Sequence, residues 1–232
     1  MNGEIRVVED VAGAFSGLVV EAFDARARSP FALAVSGGPT ARRCYERLAD
    51  EAADRIDWWD LDVYWGDERC VAPDDSDSNE AMVREALLAK VGAVNAYFPM
   101  RCSEGAEAYQ MKVANVEYFD LVHLGLGPDG HTASLFPGSA GLDADPGQLV
   151  VLNDDPSGRN LHRRMTLTLS GIAKARQVVF TVSGSAKQEA MQAVYDGADL
   201  PAARVRADRI TWLVDPDAAP RQLFDNAPGL VR

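Results

Sequence analysis

The residues most able to do chemistry lie in one stretch, HLGLGPDGHTASLFPG, at residues 123–138. An apolar run enters a glycine-rich turn there, and Asp129, His131, Thr132 and Ser134 follow within or directly after that turn. A histidine can accept and return a proton near neutral pH, and a carboxylate beside it can orient its ring. The stretch therefore predicts acid–base chemistry at His131 with Asp129 as its partner.

The same stretch contains the G-x-G-x-x-G pattern that is typical of dinucleotide sites, at Gly125, Gly127 and Gly130. A dinucleotide site needs its last glycine to open a long helix that receives the pyrophosphate. The segment HTASLF ends at Pro137, which predicts a helix of less than two turns. Asp129 also places a negative charge where a pyrophosphate would approach. A dinucleotide cofactor is therefore disfavoured.

Other polar clusters give weaker signals. Asp154 and Asp155 follow an apolar run at about the distance of a ribose-binding acid, which keeps a dinucleotide site as an alternative. The histidines lack metal-site spacing, and DERCVAPDDSDSNE at residues 67–80 lacks the ligand spacing and central glycine of a calcium loop. We predict neither a metal nor a cofactor. His123 lies inside a strand and is expected to be a core or edge residue. His162 precedes Arg163 and Arg164 and is expected near the anion.

Elements that alternate along the chain must position these residues. Strand-like apolar runs predict a mostly parallel sheet, because they are apolar on both faces. Helical spacing between the runs predicts a three-layer α/β fold, a doubly wound (Rossmann-like) sheet with helices on both faces, in a single domain over residues 1–232. Residues 137–162 look irregular and are expected to be a lid or a surface excursion. The runs are EIRVV, FALAV, LDVYW, FDLVHLGLG, QVVFTVSG and RITWLVD, with helical segments at 10–27, 40–53, 79–91 and 185–196.

Four of these runs end in polar turns: SGGPT, GDER, PDGHTAS and SGSAK. The carboxyl ends of parallel strands lie at one edge of a sheet, where open α/β folds bind ligands. Backbone N–H groups at Gly37, Gly38 and Thr40, with the cations Arg69 and Lys187, suit an anionic sugar-like ligand. Alone, each has an ordinary interpretation as a helix cap, a surface ion pair or a solvated charge. Their coincidence predicts a binding site.

Composition limits the partners. Acidic residues outnumber basic residues by 35 to 23, and the net charge of −12 opposes binding to nucleic acid. Cys44, Cys70 and Cys102 are odd in number and form no C-x-x-C pair, which predicts reduced thiols in a cytoplasmic protein. No secretory signal and no run near the ~18 apolar residues of a membrane span occur, so no membrane partner is predicted. A monomer or weak homodimer is expected.

Four blocks, in order, resemble the 6-phosphogluconolactonase family over about residues 31–190: SGGPT, DERCVAPDDSDSN, FDLVHLGLGPDGHTASLFPG and RMTLTLSGIAKARQVVFTVSGSAK. The resemblance implies a three-layer α/β fold and cofactor-free hydrolysis of 6-phospho-D-glucono-1,5-lactone to 6-phosphogluconate in the oxidative pentose phosphate pathway. Pro39 and Ala41 stand where the family commonly has serine and proline. Proline at position 39 lacks an N–H donor, which favours Gly38 and Thr40 as phosphate ligands.

The resemblance also implies roles for individual residues. His131 would deprotonate the attacking water and return the proton to the departing ring oxygen, while the phosphosugar lactone is held by its phosphate. The predicted catalytic residues are His131 and Asp129, and the predicted substrate-binding residues are Gly37, Gly38, Thr40, Asp67, Arg69, Asn79, Gly130, Arg164 and Lys187.

Two other functions remain open on the same fold. A glucosamine-6-phosphate-type isomerase/deaminase needs a further acid/base carboxylate after its D-E block, and Asp74, Asp75 and Asp77 lack the expected surrounding motif. A sugar-phosphate sensor is disfavoured because the sheet begins by residue 5, with no DNA-binding segment before it. A serine nucleophile is disfavoured because no G-x-S-x-G surrounds Ser134, which is expected to contact His131 from one helix face.

Overall fold

The computed structural model describes residues 1–225 and is built on a seven-stranded sheet. Every neighbouring pair of strands in this sheet is parallel, and helices lie on both sides of it, so the predicted fold class is confirmed. The six predicted strands all form, and one short edge strand, β5, was not predicted. In spatial order the strands are β1 (Glu4–Val7), β10 (Arg209–Val214), β9 (Ala175–Val182), β6 (Phe119–Gly125), β2 (Phe31–Val35), β3 (Leu61–Trp65) and β5 (Ala96–Phe98).

The helices connect these strands. The predicted helical segment at 79–91 is continuous but changes its winding, because a π-helical turn at Arg84–Leu88 separates two α-helical parts. No helix within residues 1–225 is long and apolar enough to cross a membrane. The helices are α1 (Val11–Asp24), α2 (Pro39–Glu51), α3 (Asn79–Val83), α4 (Ala89–Val91), α5 (Ala106–Asn115), α6 (Leu169–Ile172), α7 (Gln188–Tyr195) and α8 (Gln222–Asp225).

The central strands are buried on both faces, as their apolar sequences predict. All five residues of β2 are buried, and Phe31, Leu33 and Val35 are completely inaccessible to solvent. Burial of such a side chain contributes roughly 1.5–3 kcal/mol. The sheet is therefore a rigid base, and the turns at its carboxyl edge are placed by a well-packed core.

A second, smaller sheet was not predicted. Its antiparallel strands lie in the order β4 (Asp67–Arg69), β8 (Arg164–Leu167) and β7 (Val150–Asn153). Residues 137–162, which look irregular in the sequence, contain β7. These strands have three or four residues each, and their pairing joins segments that are distant in sequence, so local patterns could not reveal them.

The predicted short helix at HTASLF does not form. Thr132 instead bridges to Leu135, and Ala133 has a positive φ of 46°. The Thr132 hydroxyl donates to the Gly125 carbonyl at 2.9 Å, and side-chain bonds of this kind compete with helical hydrogen bonds. The segment is a compact turn that packs back onto the end of β6.

The prediction of three reduced thiols is wrong for two of the three cysteines. Cys70 and Cys102 form a disulfide with Cα atoms 5.3 Å apart, and Cys44 is free and buried. The two partners are 32 residues apart in sequence. They meet because the fold brings the residue after β4 next to a 3₁₀ turn at Cys102–Glu104, which no spacing of cysteines in the sequence indicates.

Candidate active site

The four polar turns meet at the carboxyl edge of the large sheet, as predicted. Their strands β9, β6, β2 and β3 are adjacent in the sheet. The turns that follow them line one cavity of about 250 Å³. Because all four strands are parallel, their ends share one edge, and the convergence follows directly from topology.

The turn after β2 presents the amino end of α2 to this cavity. Gly38 has a φ of 94° and precedes the helix, and Pro39 is its first residue, a position that suits the fixed φ of proline. The helix has 13 residues, so its first N–H groups carry partial positive charge. A Cβ atom at Gly37 would collide with the Asn79 side chain, so glycine there permits the close approach of Asn79.

The turn after β6 holds a histidine–carboxylate pair. The Nδ1 atom of His131 lies 2.6 Å from an Asp129 carboxylate oxygen, which also accepts the His131 backbone N–H. This hydrogen bond lowers the pKa of Asp129, so the carboxylate remains ionised. With Nδ1 bonded to Asp129, Nε2 is left as the nitrogen that can accept a proton. A Cβ atom at Gly127 would collide with the imidazole ring, so this glycine makes room for it.

Arg164 faces the cavity without a partner. It is only 7% exposed, its Nε atom is buried without a hydrogen bond, and no carboxylate within residues 1–225 pairs with it. Burial lowers its pKa and the nearby Arg69 lowers it further, while the charges of Asp67, Glu68 and Asp77 oppose this. A buried, unpaired guanidinium is costly, so its presence points to an anion that occupies the cavity.

Lys187 is a second cation of the cavity without a carboxylate pair in the described part of the chain. It is half-buried, and this burial lowers its pKa while the charge of Asp129 raises it. Lys187 follows β9, whereas Arg164 begins β8 of the small sheet. The two cations therefore approach the cavity from different sheets.

A buried hydrogen-bonded group fixes one wall of the cavity. The Ser134 hydroxyl donates to Asp67 at 2.5 Å, and the Asn79 amide donates to the Asp67 carbonyl at 2.9 Å. The predicted contact between Ser134 and His131 from one helix face is wrong, because the segment is a turn that directs Ser134 to Asp67. Asp67 and Asn79 thus stabilise each other as well as line the cavity.

Glu68 is a structural residue of the site that the sequence analysis missed. Its carboxylate accepts backbone N–H groups of Arg69 and Asn79 at 2.7 Å and of Glu80 at 2.6 Å, and the Ser78 hydroxyl at 3.2 Å. Burial raises the pKa of Glu68 to about 7, and the backbone hydrogen bonds oppose that rise. The carboxylate holds Arg69 and Asn79 at the ends of one short loop. No sequence pattern marks it, because its partners are defined only by the fold.

Most of the predicted site residues come together. Asp129 lies behind the His131 ring instead of on the cavity wall, and Gly130, with a φ of 81°, packs against Leu200. The nine predicted residues that line the cavity are Gly37, Gly38, Thr40, Asp67, Arg69, Asn79, His131, Arg164 and Lys187.

The lining residues that were not predicted include Phe136, Asn160 and Ser183. Asn160 belongs to the segment 137–162, which therefore contributes directly to the cavity. Ser183 extends the turn after β9.

The other two histidines lie outside the cavity lining. His162 is exposed and lies 3.0 Å from Asp77. His123 is completely buried, with its ring nitrogens 2.8 Å from the Tyr45 and Thr181 hydroxyls, which places it in the core. Among residues 1–225, no group of three or more His, Cys, Asp or Glu side chains is arranged to hold a metal ion.

Comparison with known proteins identifies relatives of the whole fold. The profile of the family described as glucosamine-6-phosphate isomerases/6-phosphogluconolactonase matches residues 5–212. A 6-phosphogluconolactonase of Synechocystis is 36% identical over 205 residues, which cover 80% of this chain and 82% of the relative. A 6-phosphogluconolactonase of Mycobacterium tuberculosis is 34% identical over 214 residues, covering 83% and 85%.

Solved structures with the same fold agree with these sequence matches. The 6-phosphogluconolactonase of Trypanosoma brucei superposes with a TM-score of 0.83 at 28% identity, over 97% of this chain and 99% of that one. The enzyme from Leishmania guyanensis gives 0.82 at 27% identity over the whole of both chains. A monomeric glucosamine-6-phosphate deaminase gives 0.78 at 16% identity and shares the fold.

Proposed function

Since the chain belongs to the family of glucosamine-6-phosphate isomerases and 6-phosphogluconolactonases, we propose that His131 moves the protons of its reaction. The protein is a lactone hydrolase that converts 6-phosphogluconolactone to 6-phosphogluconate in the pentose phosphate pathway. One observation supports the assignment of residues. His131, bonded to Asp129, lines the same cavity as Arg164, a buried cation with no carboxylate at ion-pair distance among the described residues.

The chemistry requires one proton acceptor. His131 Nε2 takes a proton from a water molecule, whose oxygen forms a bond to the lactone carbonyl carbon C1. When the tetrahedral intermediate collapses, the bond from C1 to the ring oxygen breaks, and the imidazolium returns its proton to that oxygen. Asp129 keeps the Nδ1 proton in place and stabilises the imidazolium that forms between the two steps.

The phosphate anchors the substrate at the opposite end. Arg69, Arg164 and Lys187 supply positive charge. The backbone N–H groups of Gly38 and Thr40, at the amino end of α2, supply hydrogen-bond donors. Binding energy gained far from C1 fixes the lactone against His131, which lowers the entropic part of the barrier. We assign Asp67, Asn79 and Gly37 to the sugar-side wall.

A kinetic comparison tests the role of His131. Freshly prepared 6-phosphogluconolactone is hydrolysed by the wild-type protein and by the His131→Ala variant, and the spontaneous rate is subtracted. We expect kcat to fall about 10²–10⁴-fold, the usual contribution of general acid–base catalysis. His162→Ala is the matched control, because His162 is exposed and bonded to Asp77 outside the cavity. A folded His131→Ala variant with wild-type kcat would exclude the proposed mechanism.

The same preparation separates the two activities of the family. Wild-type protein that does not exceed the spontaneous rate contradicts lactone hydrolysis itself. Release of ammonia from glucosamine 6-phosphate would then favour the isomerase/deaminase alternative. The predicted monomer or weak homodimer is tested independently by sedimentation.

The expected cytoplasmic location remains a proposal. The Cys70–Cys102 disulfide weighs against it, because reducing compartments keep most thiols unpaired. Fractionation of source cells, with thiols alkylated at lysis, decides both the compartment and the state of the two cysteines.

A further inference from the structure

Arg43 lies beside the cavity, in contact with two residues that line it, and was not predicted to take part in binding. It belongs to the first half of α2, and its guanidinium lies 3.5 Å from the Thr40 hydroxyl and 3.4 Å from the Ser183 hydroxyl. Thr40 and Ser183 both line the cavity. Because β2 and β9 flank β6 in the sheet, Arg43 connects the two turns on either side of the turn that carries His131.

The other arginines of α2 are neutralised, and Arg43 is not. Arg42 lies 3.0 Å from Glu85 and 3.8 Å from Glu46. Arg47 pairs with Asp10 and Glu51. No carboxylate within residues 1–225 lies within ion-pair distance of Arg43, whose neighbours are two neutral hydroxyls.

The position of Ser183 is itself fixed, so the contact with Arg43 has a defined geometry. The Ser183 hydroxyl donates to Asp215 at 2.6 Å, and the same carboxylate oxygen accepts the Gly184 backbone N–H at 2.8 Å. The Ser183 oxygen is therefore left as an acceptor for Arg43. An arginine held by hydroxyls at 3.4 to 3.5 Å keeps most of its five N–H donors unused.

A phosphate dianion supplies the missing partner. Phosphate monoesters carry close to two negative charges at neutral pH and accept paired hydrogen bonds from guanidinium. Arg43 adds a further cation to Arg69, Arg164 and Lys187 in a chain whose net charge is −12. These cations concentrate positive charge at one edge of the sheet, which favours an anionic ligand there.

We propose that Arg43 closes over the phosphate of the lactone from beside the cavity and gives the enzyme its preference for phosphorylated over unphosphorylated lactones. This inference rests on the proposed function and extends it to a residue that determines specificity. Arg43 binds the remote phosphate and does not touch the reacting carbon, so it acts on substrate affinity.

The test compares Arg43→Gln with Arg42→Gln, which alters the neighbouring, neutralised arginine. Each variant is assayed with 6-phosphogluconolactone and with unphosphorylated D-glucono-1,5-lactone. Loss of a charge-assisted hydrogen bond predicts that Arg43→Gln raises KM for the phosphorylated lactone about 10-fold or more. We expect its kcat to stay within about twofold, and kcat/KM for the unphosphorylated lactone to be unchanged. Arg42→Gln should match wild type with both substrates.

Calorimetric titration with 6-phosphogluconate gives a readout that does not depend on catalysis. Arg43→Gln should weaken this binding by the same factor as KM, and Arg43→Lys should restore part of it because lysine keeps the charge without the paired geometry. The inference is overturned if Arg43→Gln and Arg42→Gln have the same KM and the same affinity for 6-phosphogluconate. It is also overturned if Arg43→Gln loses kcat/KM equally with the phosphorylated and the unphosphorylated lactone. If wild type itself fails to accelerate lactone opening, the proposed function fails, which is a different result.

Discussion

At the scale of single residues, two histidines show how surroundings assign a role. His123 is enclosed by Phe15, Tyr45 and Thr181, and burial lowers its pKa to about 3, so it is neutral and structural. His131 is 23% exposed at a cavity and bonded to Asp129. The sequence distinguished the two, because His123 lies inside an apolar run and His131 follows a glycine-rich turn. It could not show that Glu68 organises the site, since the donors from Ser78, Asn79 and Glu80 lie ten to twelve residues away and reach Glu68 only in the folded chain.

Arg164 gives a prediction in which activity and stability change in opposite directions. Replacement by methionine removes a buried charge whose Nε is unsatisfied and which has no carboxylate at ion-pair distance within residues 1–225, so we expect the free energy of unfolding to rise by about 1–2 kcal/mol. The same change removes a proposed phosphate contact, so KM should rise about 10–100-fold. Chemical denaturation and steady-state kinetics measure the two effects.

The control for this prediction is Arg163→Met. Arg163 is exposed and lies 3.7 Å from Asp154, so its replacement should change neither quantity appreciably. An Arg164→Met variant that is less stable than wild type would show that Arg164 stabilises the fold, which contradicts a role in anion binding alone.

At the scale of elements, the long strands were predictable and the short ones were not. β6 and β9 are runs of seven and eight mostly buried residues, and an apolar run of that length predicts a buried strand from the local sequence alone. β4 has the sequence DER, and its strand geometry depends on pairing with β8, about a hundred residues away. The turn at HTASLF was mistaken for a helix because its hydroxyls bond across the site, which local spacing does not encode.

The loop between β4 and α3 yields a prediction about element positioning. In the wild-type protein the Glu68 carboxylate accepts hydrogen bonds from backbone N–H groups. In Glu68→Gln an amide N–H₂ group, which cannot accept, faces some of these donors, so at least one buried donor loses its partner. We expect a loss of about 1–3 kcal/mol in the free energy of unfolding. Because Arg69 and Asn79 are held by the same carboxylate, KM should also rise.

Glu104→Gln is the matched control for Glu68. Glu104 forms an exposed ion pair with Lys112 at 3.4 Å, so its loss should have little effect on either stability or KM. Wild-type stability and wild-type KM in Glu68→Gln would mean that the loop is held by other contacts.

At the scale of the whole molecule, one topological fact explains why the site could be inferred before its geometry was known. Parallel strands that are adjacent in one sheet must end at one edge, so four polar turns in the sequence become one cavity. No comparable topological rule predicts the small antiparallel sheet or the Cys70–Cys102 disulfide. Each joins segments that are close together only in the completed fold.

The buried His123 makes the stability of the whole fold depend on pH. Its pKa is about 3 in the folded protein, and an unfolded histidine has a pKa near ~6.5. Between these values the unfolded chain binds the extra proton, so stability rises with pH there and is lost as pH falls below about 6.5. The expected loss from this one group is about 1.4 kcal/mol per pH unit.

Urea unfolding at pH 7.5, 6.0 and 5.0 measures this dependence. In His123→Gln the variant has no proton to take up at this position, so between pH 6.5 and 5.0 it should lose about 2 kcal/mol less stability than wild type. His162→Gln removes an exposed histidine and should retain the wild-type slope. A His123→Gln variant with the wild-type slope would mean that the acid sensitivity arises elsewhere. The expected result would show instead that the sheet beneath the catalytic turn depends on keeping this one imidazole neutral, since His123 lies in β6 and His131 lies in the turn that follows this strand.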